Sequence, residues 1–481
     1  MKTFNFKFTI LIAIHLLFGN YVFAQTADIQ RISSEQKAYE LSVVWKELSY
    51  NFANMDNCPD VNLDSLYCAY IPIVTDTKND FEYILAMQKF LSNFNNGHVY
   101  CQNPNYLNNY AAFLLFTTRN ENGKVFVDKV CKIYSNLQKD DEILSINNLS
   151  ISEYIDKFLM PYTFASNMNA KKQQAKIGFG GMPALNSDNE KLFLTIKRKK
   201  NIEKVEVPFI CYTDYQSDTI KYQQIIDFYN KDLQSTQENI FIVDKKNDFA
   251  YIKLSACYAD FHNFFVEKYD DILQYKNLIV DVSNNGGGSN NYTSIAERCL
   301  VNLDSIRYIS YKTRINNAWK KSKATSRIYY YKDDEVTQEE KDEYYPFFYN
   351  NAFEDVGNSS ALYLNEISDT IRYKGNIFVI VNGTTVSAAE YFVAMLAQSP
   401  KVKILGEQTS GGLAQPLVTV LPSGMRVFIN SSKTFDTKGN DISSGIKPDY
   451  EYDFSNIYNI KNPQDRLKKI IAVIKSFEIK K

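Results

Sequence analysis

Between residues 36 and 95 apolar side chains recur at three- and four-residue steps, first Tyr39, Leu41, Val44, Trp45 and Leu48, then Phe81, Ile84, Leu85, Met87 and Phe90. Side chains at that spacing share one face of an α-helix, so the pattern predicts amphipathic helices. The polar, proline-containing stretch 57–64 parts the two runs. A small helical domain is expected over residues 25–107, ending at the segment Asn95-Asn96-Gly97-His98. From Phe113 to about Phe209 the runs become short and alternating, as in Lys124-Val125-Phe126-Val127, and they close in a hairpin, 192–196 with 205–209, around Lys199-Lys200-Asn201. A period of two belongs to strands, and residues 108–212 are expected to form a β-rich domain. The basic quartet 197–200 falls at the hairpin tip, where solvated charge is the ordinary reading.

Beyond Phe249 strands and helices alternate, which predicts an α/β domain over residues 240–481. Residues 250–254 and 277–281 are apolar runs of buried-strand type, and Ser283-Asn284-Asn285-Gly286-Gly287-Gly288-Ser289 breaks the second. A helical run through Cys299 follows. Then come a strand at 376–381, a tight turn, a helix near 387–398, a strand at 402–405, a hairpin turning at Pro422-Ser423-Gly424 and a last helix near 463–477. Residues 307–371 are rich in Tyr and charge, including Tyr329-Tyr330-Tyr331 and Tyr344-Tyr345. Core packing or a lid is expected there ahead of an aromatic platform for sugars. The fold class is therefore α/β overall, in several domains.

Composition narrows the partners. The 481 residues carry 54 Lys+Arg against 55 Asp+Glu, with 45% hydrophobic and 23% charged residues, the proportions of ordinary globular protein. A net charge of -1 gives no pull toward nucleic acid or anionic membrane, and neither is expected as a partner. Residues 1–24 have a basic start (Lys2, Lys7), an apolar run over 8–18 and Val22-Phe23-Ala24 before Gln25, the pattern of a secretory signal peptide. Export to the periplasm or the extracellular space is the expectation. No stable membrane span should remain after cleavage, because no second apolar run approaches the ~18 residues that a spanning helix needs. Seven cysteines occur without a C-x-x-C pair; Cys58 and Cys68 are the nearest two that could pair, and the odd count leaves at least one free. His98 and His262 are the histidines that follow the leader, and H-E-x-x-H is absent, so neither a metal nor an organic cofactor is expected.

The chemistry concentrates where Phe378-Val379-Ile380-Val381 runs into Asn382-Gly383-Thr384-Thr385-Val386-Ser387-Ala388-Ala389-Glu390. A strand, a tight turn and a helix in that order put the Ser387 hydroxyl at a helix N-terminus. Unpaired N–H groups and the helix dipole there favour the negative charge that develops in acyl transfer. On spacing alone, Ser387 reads first as a plain N-cap. The turn is not the G-x-S-x-G elbow of α/β-hydrolases. A second element is the glycine-rich break after residue 281, where backbone N–H groups can approach an oxyanion closely. Phosphate-binding motifs of the G-x-x-x-x-G-K-[ST] and G-x-G-x-x-G kinds do not occur.

Taken in order, the strand followed by D-x-x-x-N-G-G-G, N-G-x-x-x-S-A-x-E, Gly406-Glu407-Gln408-Thr409-Ser410-Gly411-Gly412, Leu421-Pro422-Ser423-Gly424 and Gly445-Ile446-Lys447-Pro448-Asp449 resemble the C-terminal processing peptidase family of serine peptidases. The segment 140–147 is similar to the G-D-x-I-L-x-I-N signature of a PDZ domain, with Asp140 where glycine is usual. The resemblance runs from about residue 36 to 452. It implies a helical N-terminal domain, a PDZ-like domain and a ClpP/crotonase-like α/β catalytic domain. Processing peptidases of the Ser–Lys type carry lysine in G-E-x-T-x-G-K, and Gly412 stands at that place. The tricorn-type branch uses a histidine in an L-x-D-G-H segment, which Phe94-Asn95-Asn96-Gly97-His98 resembles with Asn96 in place of the aspartate.

On that resemblance Ser387 is the nucleophile and His98 its general base, and the backbone N–H groups of Gly287, Gly286 and Ala388 form the oxyanion hole. A carboxylate should orient the imidazole; the candidates are Glu390, Glu407 and Asp441, while Ile442 occupies the register of the tricorn-type acid. Ser283 stands where the family often has arginine. The implied partner is a peptide or protein substrate, including C-terminal tails held by strand addition at the PDZ-like edge; oligomerisation is left open. Two other readings compete: a peptidase fold that has lost turnover and serves as a peptide or apolar-ligand binding module, and carbohydrate chemistry through the aromatic insertion. No paired carboxylates at interpretable spacing support the last.

Overall fold

The computed structural model describes residues 29–110, 112–121, 123–177, 191–211, 218–228, 239–303, 306–314, 353–355, 372–414 and 416–478. The expected signal peptide and almost all of the Tyr-rich run, Tyr329 to Tyr331 included, lie outside the described residues. No helix among the described residues is long and apolar enough to cross a membrane.

Three helices, Ser34–Asn51, Leu63–Thr75 and Asp80–Leu91, begin the chain, and at each start an Asn or Ser side chain accepts an N–H that has no carbonyl one turn back. Leu41, Val44, Leu48, Ile84, Met87 and Phe90 face inward together, whereas Tyr39 is exposed. This helical core is not closed by its own sequence. Leu421, Met425, Val427 and Ile429, from a hairpin that pairs Pro416–Val420 with Arg426–Asn430 far down the chain, fill its remaining side. Strand Tyr100–Gln102 extends the same small sheet, and the Tyr100 ring stacks on Phe428 with centroids 4.4 Å apart. Glu40, fully buried, accepts from the Ser423 backbone and hydroxyl at the hairpin turn.

The β-rich unit is an antiparallel sheet of Phe116–Glu121, Lys124–Val130, Glu142–Ile146, Lys191–Arg198 and Asn201–Pro208, each strand paired with the next. Asp140 has φ 73°, the left-handed region that costs a residue with a Cβ, which explains why glycine is the usual choice there. Helix Met168–Ile177 packs on the first of these strands.

The α/β unit is built on a six-stranded sheet. Ile240–Asp244 runs antiparallel to Phe249–Lys253, and Asn277–Asp281, Asn376–Val381, Val402–Gly406 and Tyr450–Glu451 follow in parallel. One face, with Ile252, Val280 and Val379, packs under helices Ala259–Ile272, Ser294–Leu300 and Ala388–Leu396. The other, with Tyr251, Ile279 and Ile380, is covered by helix Pro463–Glu478 through Leu467, Ile470 and Ile474. Cover on both faces is why these strands read as unbroken apolar runs. Cys58 and Cys68 are not joined; Cys58 is buried, with its thiol on the Phe94 carbonyl, and Cys68 is exposed.

Candidate active site

Parallel neighbours end on the same side of a sheet. The register Asp281↔Ile380 and Val381↔Gly406 therefore brings three loops, 282–288, 382–387 and 407–412, together at one edge. Asn284 and Asn382 exchange bonds across the first two, Asn284 N–H to Asn382 Oδ1 at 3.0 Å and Asn382 Nδ2 to Asn284 Oδ1 at 2.8 Å. The Val386 N–H donates to the Asn285 carbonyl, and the Ser410 N–H to the Thr385 carbonyl.

Ser387 stands at the start of helix Ala388–Leu396 with φ 61° and ψ -124°. A residue with a side chain held there stores about 1–3 kcal/mol of strain, and the surroundings must fix it. Glu390 does so. Its carboxylate, fully buried, accepts from the N–H of Ser387 (3.0 Å), Gly411 (2.7 Å) and Gly412 (2.9 Å) and from Thr409 Oγ1 (2.5 Å). Burial pushes its pKa up to about 6, against those four donors. The carboxylate thus binds the Ser387 turn to the 409–412 loop.

Gly287, with φ 87°, lies against Ser387: a Cβ there would fall 2.8 Å from that of Ser387 and 2.7 Å from the Val386 carbonyl oxygen. Its expected part as an oxyanion donor needs correction. Asn285 Oδ1 takes the Gly287 N–H at 2.9 Å, a side chain capturing the backbone two residues on. The remaining candidate donors are Gly286 and Ala388, the latter at a helix start where N–H groups lack a carbonyl one turn back. Behind the turn, Asp281 is buried; its Oδ1 accepts from Ser283 N and Oγ at 2.9 and 2.6 Å, its Oδ2 from the Tyr251 and Tyr458 hydroxyls at 2.5 and 2.7 Å. Ser283, which stands where the family often has arginine, thus shares the Asp281 carboxylate with two tyrosines. Their separation in sequence hid them.

His98 arrives from the other end of the chain. Pairing of Tyr100–Gln102 with Arg426–Asn430 carries it to the 409–412 loop. Its N–H donates to Asn96 Oδ1 at 2.9 Å, so Asn96 shapes the turn by the same kind of bond an aspartate would make. A Cβ built on Gly412 would lie 3.5 Å from His98 Nε2 and 2.6 Å from Val386 Cγ2. The imidazole and the nucleophile's turn therefore meet across Gly412. Burial pushes the His98 pKa down to about 4, opposed by a contact with the Ala414 backbone. Among the described residues Ser387 and His98 are not hydrogen-bonded to each other, and the buried His98 Nδ1 has no partner.

The three carboxylate candidates therefore do not hold the imidazole. Glu390 spends its oxygens on the four donors above. Glu407, raised by burial, faces Gln173 and Asn169. Asp441 is exposed, bonding the Ser443 N–H and lying 3.9 Å from Lys433. His262 sits on helix Ala259–Ile272, whose Phe261 and Phe265 face the core.

The order and spacing of these loops match the model of peptidase family S41 over residues 248–452. That segment is of the peptidase S41 family. By that match the chain is a serine-type peptidase; the matched segment includes Ser387 and the glycine turn, while His98 lies outside it. Among solved structures, mature CPAF complexed with lactacystin superposes with a TM-score of 0.64 at 14% identity, covering 92% of this chain and 98% of that one. Mature CPAF alone gives 0.63 at 14% identity, covering 91% and 96%. At such identity the likeness concerns the fold, which extends well beyond the S41 segment. None of the curated proteins matches the chain in sequence.

Proposed function

We propose that this S41 protein is an exported serine endopeptidase in which Ser387 attacks the peptide carbonyl and His98 is the general base. Nε2 takes the Ser387 proton as Oγ bonds to the carbonyl carbon, and the carbonyl electron pair moves to oxygen, beside the N–H of Ala388 and Gly286. Collapse of the tetrahedral adduct expels the amine, which takes that proton from His98. Water, activated by the same imidazole, then releases the acyl group. A histidine held down to about 4 is neutral near pH 7 and so able to accept a proton. The β-rich unit, read as PDZ-like, would capture an extended or C-terminal segment of the substrate along its sheet edge.

The observation that carries this reading is the contact at Gly412. Glycine at the place of the Ser–Lys lysine leaves His98 Nε2 in van der Waals reach of that position and beside the Val386 side chain of the Ser387 turn, which supports a histidine in the lysine's stead. The test is labelling of the purified protein with a fluorophosphonate, read by intact mass. Wild type and His262→Ala should label, and Ser387→Ala and His98→Ala should not. Labelling of Ser387→Ala would remove the assignment. The binding-module reading draws on two observations, the unpartnered Nδ1 of His98 and the occupied N–H of Gly287. It predicts a folded wild type that neither labels nor turns over a broad peptide library.

A further inference from the structure

One hydroxyl beneath this pair joins all three units of the chain. Ser166, buried, lies in the short link before helix Met168–Ile177. Its Oγ accepts the Gly97 N–H at 3.1 Å and donates to the Gly411 carbonyl, while its own N–H donates to the Ser410 carbonyl at 3.0 Å. The approach is close: a Cβ on Gly411 would stand 2.5 Å from that of Ser166. Gly97 precedes His98 directly, and the Gly411 N–H is on the carboxylate that holds the Ser387 N–H. The neighbouring residues reinforce this. Asn167 Nδ2 donates to the carbonyls of Thr409 and Ser444, and Gln173 Oε1 accepts the Gly383 N–H at 2.8 Å.

In a serine–histidine–carboxylate triad the acid fixes the ring by a bond to Nδ1. Here no carboxylate reaches Nδ1, and beside the contact with the Ala414 backbone the ring is placed through its own backbone, where Asn96 Oδ1 holds one N–H and Ser166 Oγ the one before it. We propose that Ser166 is a positioning residue whose hydroxyl sets the separation of His98 from Ser387 by fastening Gly97 to Gly411. The inference rests on the Ser387–His98 reading. Without the hydroxyl, the 96–99 turn is free to shift against the 409–412 loop. A displacement of about 1 Å in a reacting geometry costs on the order of 100-fold in rate.

The experiment compares full-length wild type, Ser166→Ala, which removes both side-chain bonds, and Ser166→Thr, which keeps the hydroxyl. It reads the second-order rate constant of fluorophosphonate labelling and the final stoichiometry. Ser166→Ala should label at least about tenfold more slowly yet reach one probe per chain, and Ser166→Thr should recover to within about threefold of wild type. A Ser166→Ala rate within about twofold of wild type overturns the assignment. A lowered endpoint at unchanged rate also overturns it, because partial unfolding removes sites without slowing the rest. If Ser166→Ala does not fold, Ser166→Cys, of similar size with weaker bonds, must show the same slowing, and a wild-type rate there overturns the proposal. Labelling of Ser387→Ala, which does not involve residue 166, would show that the underlying reading had failed instead.

Discussion

The Ser387 side and the His98 side of this site are built differently, although both meet at Gly412. Ser387 lies between two parallel strands' ends in a strained conformation, and a buried carboxylate three residues on holds its N–H. Most of what places it comes from two loops of the same unit, 282–288 and 407–412, beside its own turn. His98 comes from a different unit. Its ring has a contact with the Ala414 backbone but no partner on Nδ1, and its position depends on a strand pairing, an Asn turn and the Ser166 hydroxyl. A group fixed by its immediate neighbours tolerates change elsewhere; a group fixed through the backbone at a junction of three units does not.

The largest expected effect is loss of either member of the pair. Ser387→Ala and His98→Ala should each lower kcat/KM for a cleaved peptide by on the order of 10³-fold or more, with KM nearly unchanged, as steady-state kinetics would show. Equal losses would mean that the two groups act as one unit despite their different supports. Glu390→Gln comes next. An amide keeps the shape but turns an NH₂ toward backbone N–H groups, so unfolding free energy should fall by about 1–3 kcal/mol and labelling of Ser387 should slow by roughly tenfold. Denaturant titration beside labelling kinetics checks both; an unchanged labelling rate would show that the nucleophile's turn holds itself.

The pH dependence distinguishes the two sides more finely. Glu390 is raised from 4.5 to about 6, so the folded state holds that proton more tightly, and its contribution to stability is present below about 4.5 and lost as pH rises through 6. His98 is lowered from 6.5 to about 4, so its contribution is present above about 6.5 and lost as pH falls through 4. The two oppose each other between these limits. Thermal melts should therefore show Glu390→Gln losing stability more steeply than wild type between pH 6.5 and 4.5. Parallel curves would mean that the carboxyl is not titrating there. The smallest effect is expected of Gly412→Ala. The Val386 methyl that meets the new Cβ at 2.6 Å is a side-chain end that can turn, so the cost should be about 1 kcal/mol and a few-fold in kcat. A loss as large as that of His98→Ala would show that the loop cannot give at all.

Much of the catalytic unit was legible because its signals are local. Apolar runs covered on two faces, a glycine break, and a strand–turn–helix around Ser387 occur as short continuous segments, and the observed strands Asn277–Asp281 and Asn376–Val381 fall where the pattern puts them. The helix after Ser387 ends at Leu396, two residues short of the expected 398, a shift of the size that helix ends commonly show. Spacing failed where one side chain selects among several distant partners. Glu390 stood as a candidate to orient the imidazole, and the fold turns it to four donors of its own loops. Gly287 stood as an oxyanion donor, and an Asn side chain two residues back claims its N–H.

By itself, then, the sequence determined the elements and the strand–turn–helix that carries Ser387, since periodicity, glycine and turn chemistry act within a few residues. The placement of His98 against Ser387, the tyrosines behind the glycine turn and the Ser166 junction were decided by tertiary structure alone. Each depends on the direction of a hydrogen bond between residues far apart in the chain, and no local pattern specifies which of many donors and acceptors will meet when the units close on one another.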